Sequence, residues 1–299
     1  MYRKRFTAMM LGILFSLVSV FEVYGEEETA EAVQYAKVVE MPKDEVTRAE
    51  EYIPVLMYHH FAIRNMGVGN GVVTTVQELE DQLRYFKDHG YRIISLEELD
   101  EILTMAEKRQ RKGIGLELKQ KYLCITMDDG YYSNYELGYP IFKKYKAPIS
   151  IFAITDFVEQ QIGIKKFTWK QAAEMEKSGF VRIYSHTADH QPLQDGKEDD
   201  FLASIEKSEE ALQKHRQQGG VKAFAYPNGR YNEEVQQALR EQGYVLQFTV
   251  EEGVINGYTA REAIPRIMVT SGMDGKEVIQ KIEKIAEETF AAEEGRVDE

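Results

Sequence analysis

Four short stretches carry residue types able to do acid–base or metal chemistry, and each lies where an apolar run stops. The run Tyr122–Met127 is followed by Asp128-Asp129-Gly130. Alone, Asp-Asp-Gly reads as a turn, with Asp bonding its own backbone and Gly taking a positive φ. Two neighbouring carboxylates after an apolar strand also repel each other, and a cation or a proton relieves that repulsion. The expectation is one metal ligand and one base of raised pKa. The second stretch, Ser185-His186-Thr187-Ala188-Asp189-His190, follows the run ending at Tyr184. Two imidazoles four positions apart can share an ion or reflect chance spacing. One carboxylate with two imidazoles would leave open positions on an ion, as catalytic rather than structural sites require. The third stretch, Phe224-Ala225-Tyr226-Pro227-Asn228-Gly229, reads equally well as a plain β-to-α turn. The fourth, Pro54 to His60, ends in adjacent imidazoles, His59 and His60. Side chains alternate across a strand, so at most one of that pair faces a shared site.

The elements that must position these stretches follow one rhythm. Pro54–Tyr58, Arg92–Ser95, Tyr122–Met127, Ile149–Ala153, Val181–Tyr184, Ala223–Tyr226, Val245–Val250 and Arg266–Val269 read as strands. Helical patterns lie between most of them, among them Val76–His89, Tyr135–Tyr145, Asp200–Gln217 and Glu233–Gln242. Ser95-x-x-Glu98 and Thr168-x-x-Gln171 have the reciprocal capping pattern of a helix start. Gly90, Gly179, Gly219 and Gly243 stand where left-handed helix terminators belong. Strand–helix alternation predicts parallel strands joined by right-handed crossovers, hence a β/α barrel or a doubly wound sheet. Both architectures gather reactive groups at the carboxyl ends of strands.

Composition narrows the partners. Thirty-seven basic against 50 acidic residues give −13, so nucleic acid is not an expected partner. One cysteine, Cys124, excludes an intramolecular disulfide and paired-cysteine zinc sites, leaving His and carboxylate as metal ligands. Its apolar neighbours predict a buried small hydrophobe. Residues 1–25 join Arg3-Lys4-Arg5 to a short apolar run and read as a secretory signal or signal anchor, the only expected membrane contact. Residues 26–50 read as an acidic linker, 51–275 as a single catalytic domain, and 276–299 as a C-terminal helix and tail. Within that tail, Val278, Ile279, Ile282, Ile285 and Ala286 form an apolar stripe suited to packing on the domain.

Thr126-Met127-Asp128-Asp129-Gly130, Ser185-His186-Thr187-Ala188-Asp189-His190 and Tyr226-Pro227-Asn228-Gly229 together resemble the polysaccharide deacetylase family, with its NodB homology domain and carbohydrate esterase family 4 chemistry. Val55-Leu56-Met57-Tyr58-His59 is similar to the branch of poly-N-acetylglucosamine deacetylases. The resemblance spans roughly residues 52–270 and implies a distorted (β/α) barrel, an α/β fold. It implies a secreted or cell-surface hydrolase that removes N-acetyl groups from a polysaccharide, as a monomer. Asp129, His186 and His190 would hold a divalent metal, Zn²⁺ foremost, with Co²⁺, Ni²⁺ and Fe²⁺ open. Asp128 would be the base. That family places its acid His in a late motif, whereas the last His here, His215, falls in a charged helical segment. His59 is therefore the candidate acid and His60 the second candidate. Ala225 and Asn228 stand where the third motif normally carries an Arg and an aromatic residue. Arg266 is the candidate replacement guanidinium, with a surface or structural Arg as the other reading. The same residues would also serve an O-acetyl glycan esterase or a non-catalytic glycan binder. Loops 62–75, 155–167 and 187–200 would set glycan specificity, and Tyr131, Tyr132, Tyr135 and Trp169 either line a groove or pack.

Overall fold

The computed structural model describes residues 51–65, 71–111, 116, 118–161, 163–215 and 219–297. The signal or anchor and the acidic linker expected before residue 51 lie outside the described residues. Along the rest, β1 (Val55–Tyr58), β2 (His60–Ala62), β3 (Val73–Thr75), α1 (Val76–Asp88), β4 (Arg92–Ile94) and α2 (Leu96–Gln110) lead to β5 (Tyr122–Asp128). There follow α3 (Tyr139–Tyr145), β6 (Ile149–Ala153), α4 (Trp169–Lys177), β7 (Val181–Ser185), α5 (Glu198–His215), β8 (Lys222–Ala225), α6 (Glu233–Glu241), β9 (Tyr244–Phe248), β10 (Ile267–Met268) and α7 (Gly275–Val297).

The main sheet runs β10-β1-β5-β6-β7-β8-β9, all parallel, with β4 paired to the first half of β5. Its two edges meet through one segment. Ile264 bridges Phe248 of β9, and three residues later Ile267 pairs with Leu56 of β1, so residues 264–268 close the curved sheet. The architecture is the distorted (β/α) barrel that the family resemblance implies and one of the two that the alternation allows, and Arg266 sits in the middle of the closing segment.

Alternation along β5 sorts its side chains. Leu123, Ile125 and Met127 join the outer core with α1 and α7. Cys124 faces the barrel interior with Phe152, Tyr184 and Phe248, fully buried as expected. Thr126 and Asp128 share the face of Cys124, which is why a carboxylate can end up 2% exposed at the strand's carboxyl end. The stripe from Val278 to Ala286 packs into the outer core; burying a large apolar side chain contributes about 1.5–3 kcal/mol, so α7 is held firmly. Among the described residues no helix is long and apolar enough to cross a membrane.

Local chemistry explains most boundaries and a few departures. Both expected capping boxes form at Ser95 and Thr168, and Thr75-x-x-Glu78 makes a third at α1. Gly90, Gly179 and Gly243 have positive φ but Gly219 does not, so it terminates no helix in the left-handed manner. The helix expected over Tyr135–Tyr145 begins as a π-turn, Asn134–Gly138, in which the wider coil lets Gly138 lie flat against Phe61. The short pair β2–β3 was not anticipated, because three-residue strands carry too little alternation to read.

Candidate metal centre and catalytic site

The expected aspartates and histidines lie at or beyond the carboxyl ends of β1, β5 and β7, whereas Arg266 stands just before β10. Asp129 follows β5 with φ 72°, and Gly130 continues the turn at φ 68°. That tight reversal sends Asp128 and Asp129 in different directions. His186 follows β7, and its backbone N–H donates to the Ala153 carbonyl at the end of β6. Thr187 and His190 also have positive φ, 65° and 59°. A β-branched residue in that region is strained, and the strain is concentrated where the loop turns back toward Asp129. The hydroxyl of Thr187 accepts from the His190 N–H at 2.9 Å, fixing the loop that presents His190.

Asp129, His186 and His190 each offer a ligand atom, and these atoms all lie within 4.8 Å of one another. The Nε2 atoms of His186 and His190 stand 3.8 and 3.5 Å from Asp129 Oδ1. His186 Nδ1 lies 2.7 Å from the Ala225 carbonyl, which can only accept, so Nδ1 carries the hydrogen and Nε2 keeps its lone pair. A ring pinned through its second nitrogen is what a metal-ligating imidazole needs. Burial pushes the His186 pKa down despite the two carboxylates, which favours the neutral, ligating form. Burial opposes ionisation of Asp129, but His186, Lys166 and a hydrogen bond from Tyr131 outweigh it and hold its pKa below the usual range. The donor set of two imidazole nitrogens and one carboxylate oxygen suits a divalent ion of the zinc type.

Asp128 lies against the same cluster, with Oδ2 4.0 Å from His186 Nε2, and is buried at the end of β5. Arg266 grips it with two parallel bonds, Nη1 to Oδ1 at 2.8 Å and Nη2 to Oδ2 at 2.7 Å. The guanidinium also donates to Thr126 Oγ1 and to the Thr249 carbonyl, and Arg266 is 0% exposed. The position left as Ala225 in the third motif is thus answered from the barrel's closing segment, while the Ala225 carbonyl serves His186. The raised pKa expected for the base is corrected: burial does oppose ionisation, but Arg266, His186 and His59 together hold Asp128 well below the ordinary carboxylate range. Sequence spacing shows the repulsion within the Asp pair and hides a guanidinium 138 positions away.

The adjacent imidazoles separate as alternation requires. His59 is close enough to Asp128 to favour its charged form, and its buried Nδ1 has no hydrogen-bond partner. His60 turns to the opposite side, with Nδ1 2.8 Å from Ser133 Oγ and its ring edge-on to Tyr131. Trp169 stacks on His215, centroids 4.3 Å apart, away from the Asp pair's neighbours. Tyr132 and Tyr135 continue a ring ladder to Tyr139. Lys166, which no sequence pattern marked, is 6% exposed beside the site, with its ammonium 3.6 Å from the centroid of the Tyr131 ring.

Comparison with known proteins agrees with this geometry. A family model described as polysaccharide deacetylase matches residues 115–246. YxkH of Bacillus subtilis strain 168, a protein named for polysaccharide deacetylation, is 31% identical over 226 residues, 75% of this chain and 73% of its own. The chain belongs to the polysaccharide deacetylase family. Within it, three further likenesses indicate the poly-N-acetylglucosamine deacetylase-like branch of the NodB and carbohydrate esterase family 4 enzymes. The poly-beta-1,6-N-acetyl-D-glucosamine N-deacetylase of Staphylococcus epidermidis is 28% identical over 66% of this chain and 68% of its own. IcaB from Ammonifex degensii is 26% identical at a TM-score of 0.66, covering 77% of this chain and 96% of its own. The Streptococcus pyogenes deacetylase PplD, solved with acetate, is 28% identical at a TM-score of 0.67 over 77% and 98% of the two chains.

Proposed function

We propose that this protein is a metal-dependent polysaccharide N-deacetylase that hydrolyses the acetamide of an N-acetylglucosamine-type glycan outside the cytoplasmic membrane, working as a monomer. One observation carries the reading: a two-imidazole, one-carboxylate cluster lies beside a second, buried carboxylate locked by an arginine fork. Its export rests on the signal-like residues 1–25, and its substrate class on the names of the relatives.

Asp129, His186 and His190 would hold the ion, and Zn²⁺ fits the donor chemistry best. A bound divalent cation supplies Lewis acidity toward the acetamide oxygen and makes a water acidic enough to ionise near neutral pH, about 7 in zinc hydrolases. Asp128 accepts the proton of the attacking water. Arg266 keeps that carboxylate ionised and both its oxygens oriented, so no reorganisation is needed as charge develops. His59 supplies the proton that the departing amine requires. Its buried Nδ1, without a hydrogen-bond partner among the described residues, supports that reading.

The test measures acetate released from N-acetylglucosamine oligomers by the metal-loaded chain. Asp128→Asn should abolish release while one equivalent of metal is retained. Undiminished release by that variant, or no release by the parent from any N-acetylated glycan, would end this reading.

A further inference from the structure

Among the described residues, Lys166 is the one buried cation beside the site that the deacetylase reading leaves unused. Residues 165–167 lie antiparallel to the turn after Asp129: the Tyr132 N–H donates to the Lys165 carbonyl at 2.8 Å and the Phe167 N–H to the Gly130 carbonyl at 3.2 Å. The Lys166 backbone is therefore fixed relative to Asp129 by the same turn that aims the carboxylate. Its side chain crosses the face of Tyr131, whose hydroxyl bonds Asp129 and whose ring edge meets His60. Yet among the described residues no carboxylate lies within ion-pair distance of the ammonium, and no acceptor takes its hydrogens. The side chain is 6% exposed, yet its Nζ is not among the buried polar atoms left without a partner, so the ammonium opens to solvent with donors a ligand can take.

We propose that Lys166 is a specificity-determining residue that donates a charge-assisted hydrogen bond to a hydroxyl oxygen of the sugar carrying the acetamide. This assignment rests on the deacetylase reading and deepens it. The ammonium lies over the ring of Tyr131, whose hydroxyl bonds Asp129, and forms no ion pair with that carboxylate, so it reaches beside the metal-ligand cluster and not into it. A sugar hydroxyl adjoining the acetamide occupies that offset; the reacting carbonyl would belong at the cluster itself. Burial pushes the Lys166 pKa down to about 8, against the pull of Asp129, leaving the donor charged at neutral pH. A neutral hydroxyl acceptor fits such a group, because it leaves the ligand carboxylate uncontested.

The experiment compares the parent with Lys166→Met and Lys166→Arg on N-acetylglucosamine oligomers and on para-nitrophenyl acetate, which has no sugar. Metal uptake and melting temperature are recorded for each. Hydrogen bonds to charged groups of the usual strength convert to about a tenfold to hundredfold rise in KM for the oligomer in Lys166→Met. The kcat/KM for para-nitrophenyl acetate should fall by less than that for the oligomer, any loss through Asp129 being common to both substrates, and Lys166→Arg should recover part of the oligomer loss. An unchanged oligomer KM in Lys166→Met overturns the assignment, and so does an equal loss on both substrates, which would place the lysine at the acetyl group. If Lys166→Met does not fold, Lys166→Gln, which keeps the chain length and loses the charge, carries the same comparison. A parent that cleaves para-nitrophenyl acetate but neither binds nor deacetylates any oligomer removes the functional reading itself, whereas a parent that deacetylates oligomers no better than the Met variant removes the Lys166 role alone.

Discussion

Replacing Arg266 by Met tests the site at its most buried contact. The fork to Asp128 is sealed, with side chains 0% and 3% exposed, so solvent cannot take over for either partner. Breaking a buried pair by removing one member costs about 3–5 kcal/mol, because the remaining charge is stranded. For a domain of this size that lowers Tm by on the order of 10 °C. The pH dependence changes sign as well. In the parent, Asp128 has a depressed folded pKa, so its stabilising contribution is present above the unfolded Asp value, about 3.9, and is lost as pH falls through the folded value. Without Arg266, burial dominates and the folded pKa rises above the unfolded one. The native state then binds more protons than the unfolded chain, and the variant loses stability as pH rises between the two values. Thermal melts from pH 4 to 8 should show the gap between parent and variant widening toward neutrality. The acid limb of kcat/KM should move up in pH, with activity at pH 7 down at least about 100-fold. Lys in place of Arg266 keeps the charge without the fork and should fall between the two. Equal melting temperatures with an unmoved acid limb would refute the argument, showing that Arg266 neither pairs with Asp128 in solution nor orients it.

Chelation of the purified chain should stop acetate release, and Zn²⁺ or Co²⁺ should restore it; His190→Ala should weaken metal uptake by at least about 100-fold, since even contacts that only orient a ligand are worth 10–100-fold. His59→Ala should lower kcat by about 10²–10⁴ with little change in Tm, the range for a lost general acid, whereas His60→Ala should act mainly on stability through its contact with Ser133. An equal kcat loss in both would show that the two rings are not divided as their orientations indicate. Gly229→Ala should destabilise by about 1–3 kcal/mol in urea melts, since φ is +69° and a Cβ would stand 2.6 Å from Val250 Cγ2 and 2.9 Å from its backbone N. Because the Thr249 carbonyl holds Arg266 Nε, that variant should also lose activity, and a fully active one would show that the turn yields without disturbing the fork.

How much of this site could be read in the sequence depended on the distance along the chain over which each relation acts. The Asp128-Asp129-Gly130 and Ser185–His190 stretches announce themselves because a strand end and its turn are local events, governed by alternation and by residues that tolerate positive φ. The parallel α/β class was legible for the same reason, since repeated strand–helix units have few ways to pack and parallel crossovers have one hand, but alternation left barrel and doubly wound sheet open and only the motif resemblance chose the barrel. The choice between His59 and His60 was not legible, since alternation says that adjacent side chains diverge but not which of them faces inward. The partners differ, Asp128 near one ring and Ser133 bonded to the other, and the proposed role of His59 rests on that difference. Arg266 could be nominated only as a guanidinium near a strand, and the sign of the Asp128 pKa came out reversed, because a pair separated by 138 residues outweighs repulsion between neighbours. Lys166 lay beyond reach for a related reason. Nothing in Lys165-Lys166-Phe167 distinguishes one lysine from the other until the backbone pairs with Tyr131 and Tyr132, after which strand geometry buries Lys166 against an aromatic face and leaves Lys165 exposed. The groups that set charge in this site are therefore those joined through tertiary closure, and that is where substitutions should change its chemistry without changing the motifs.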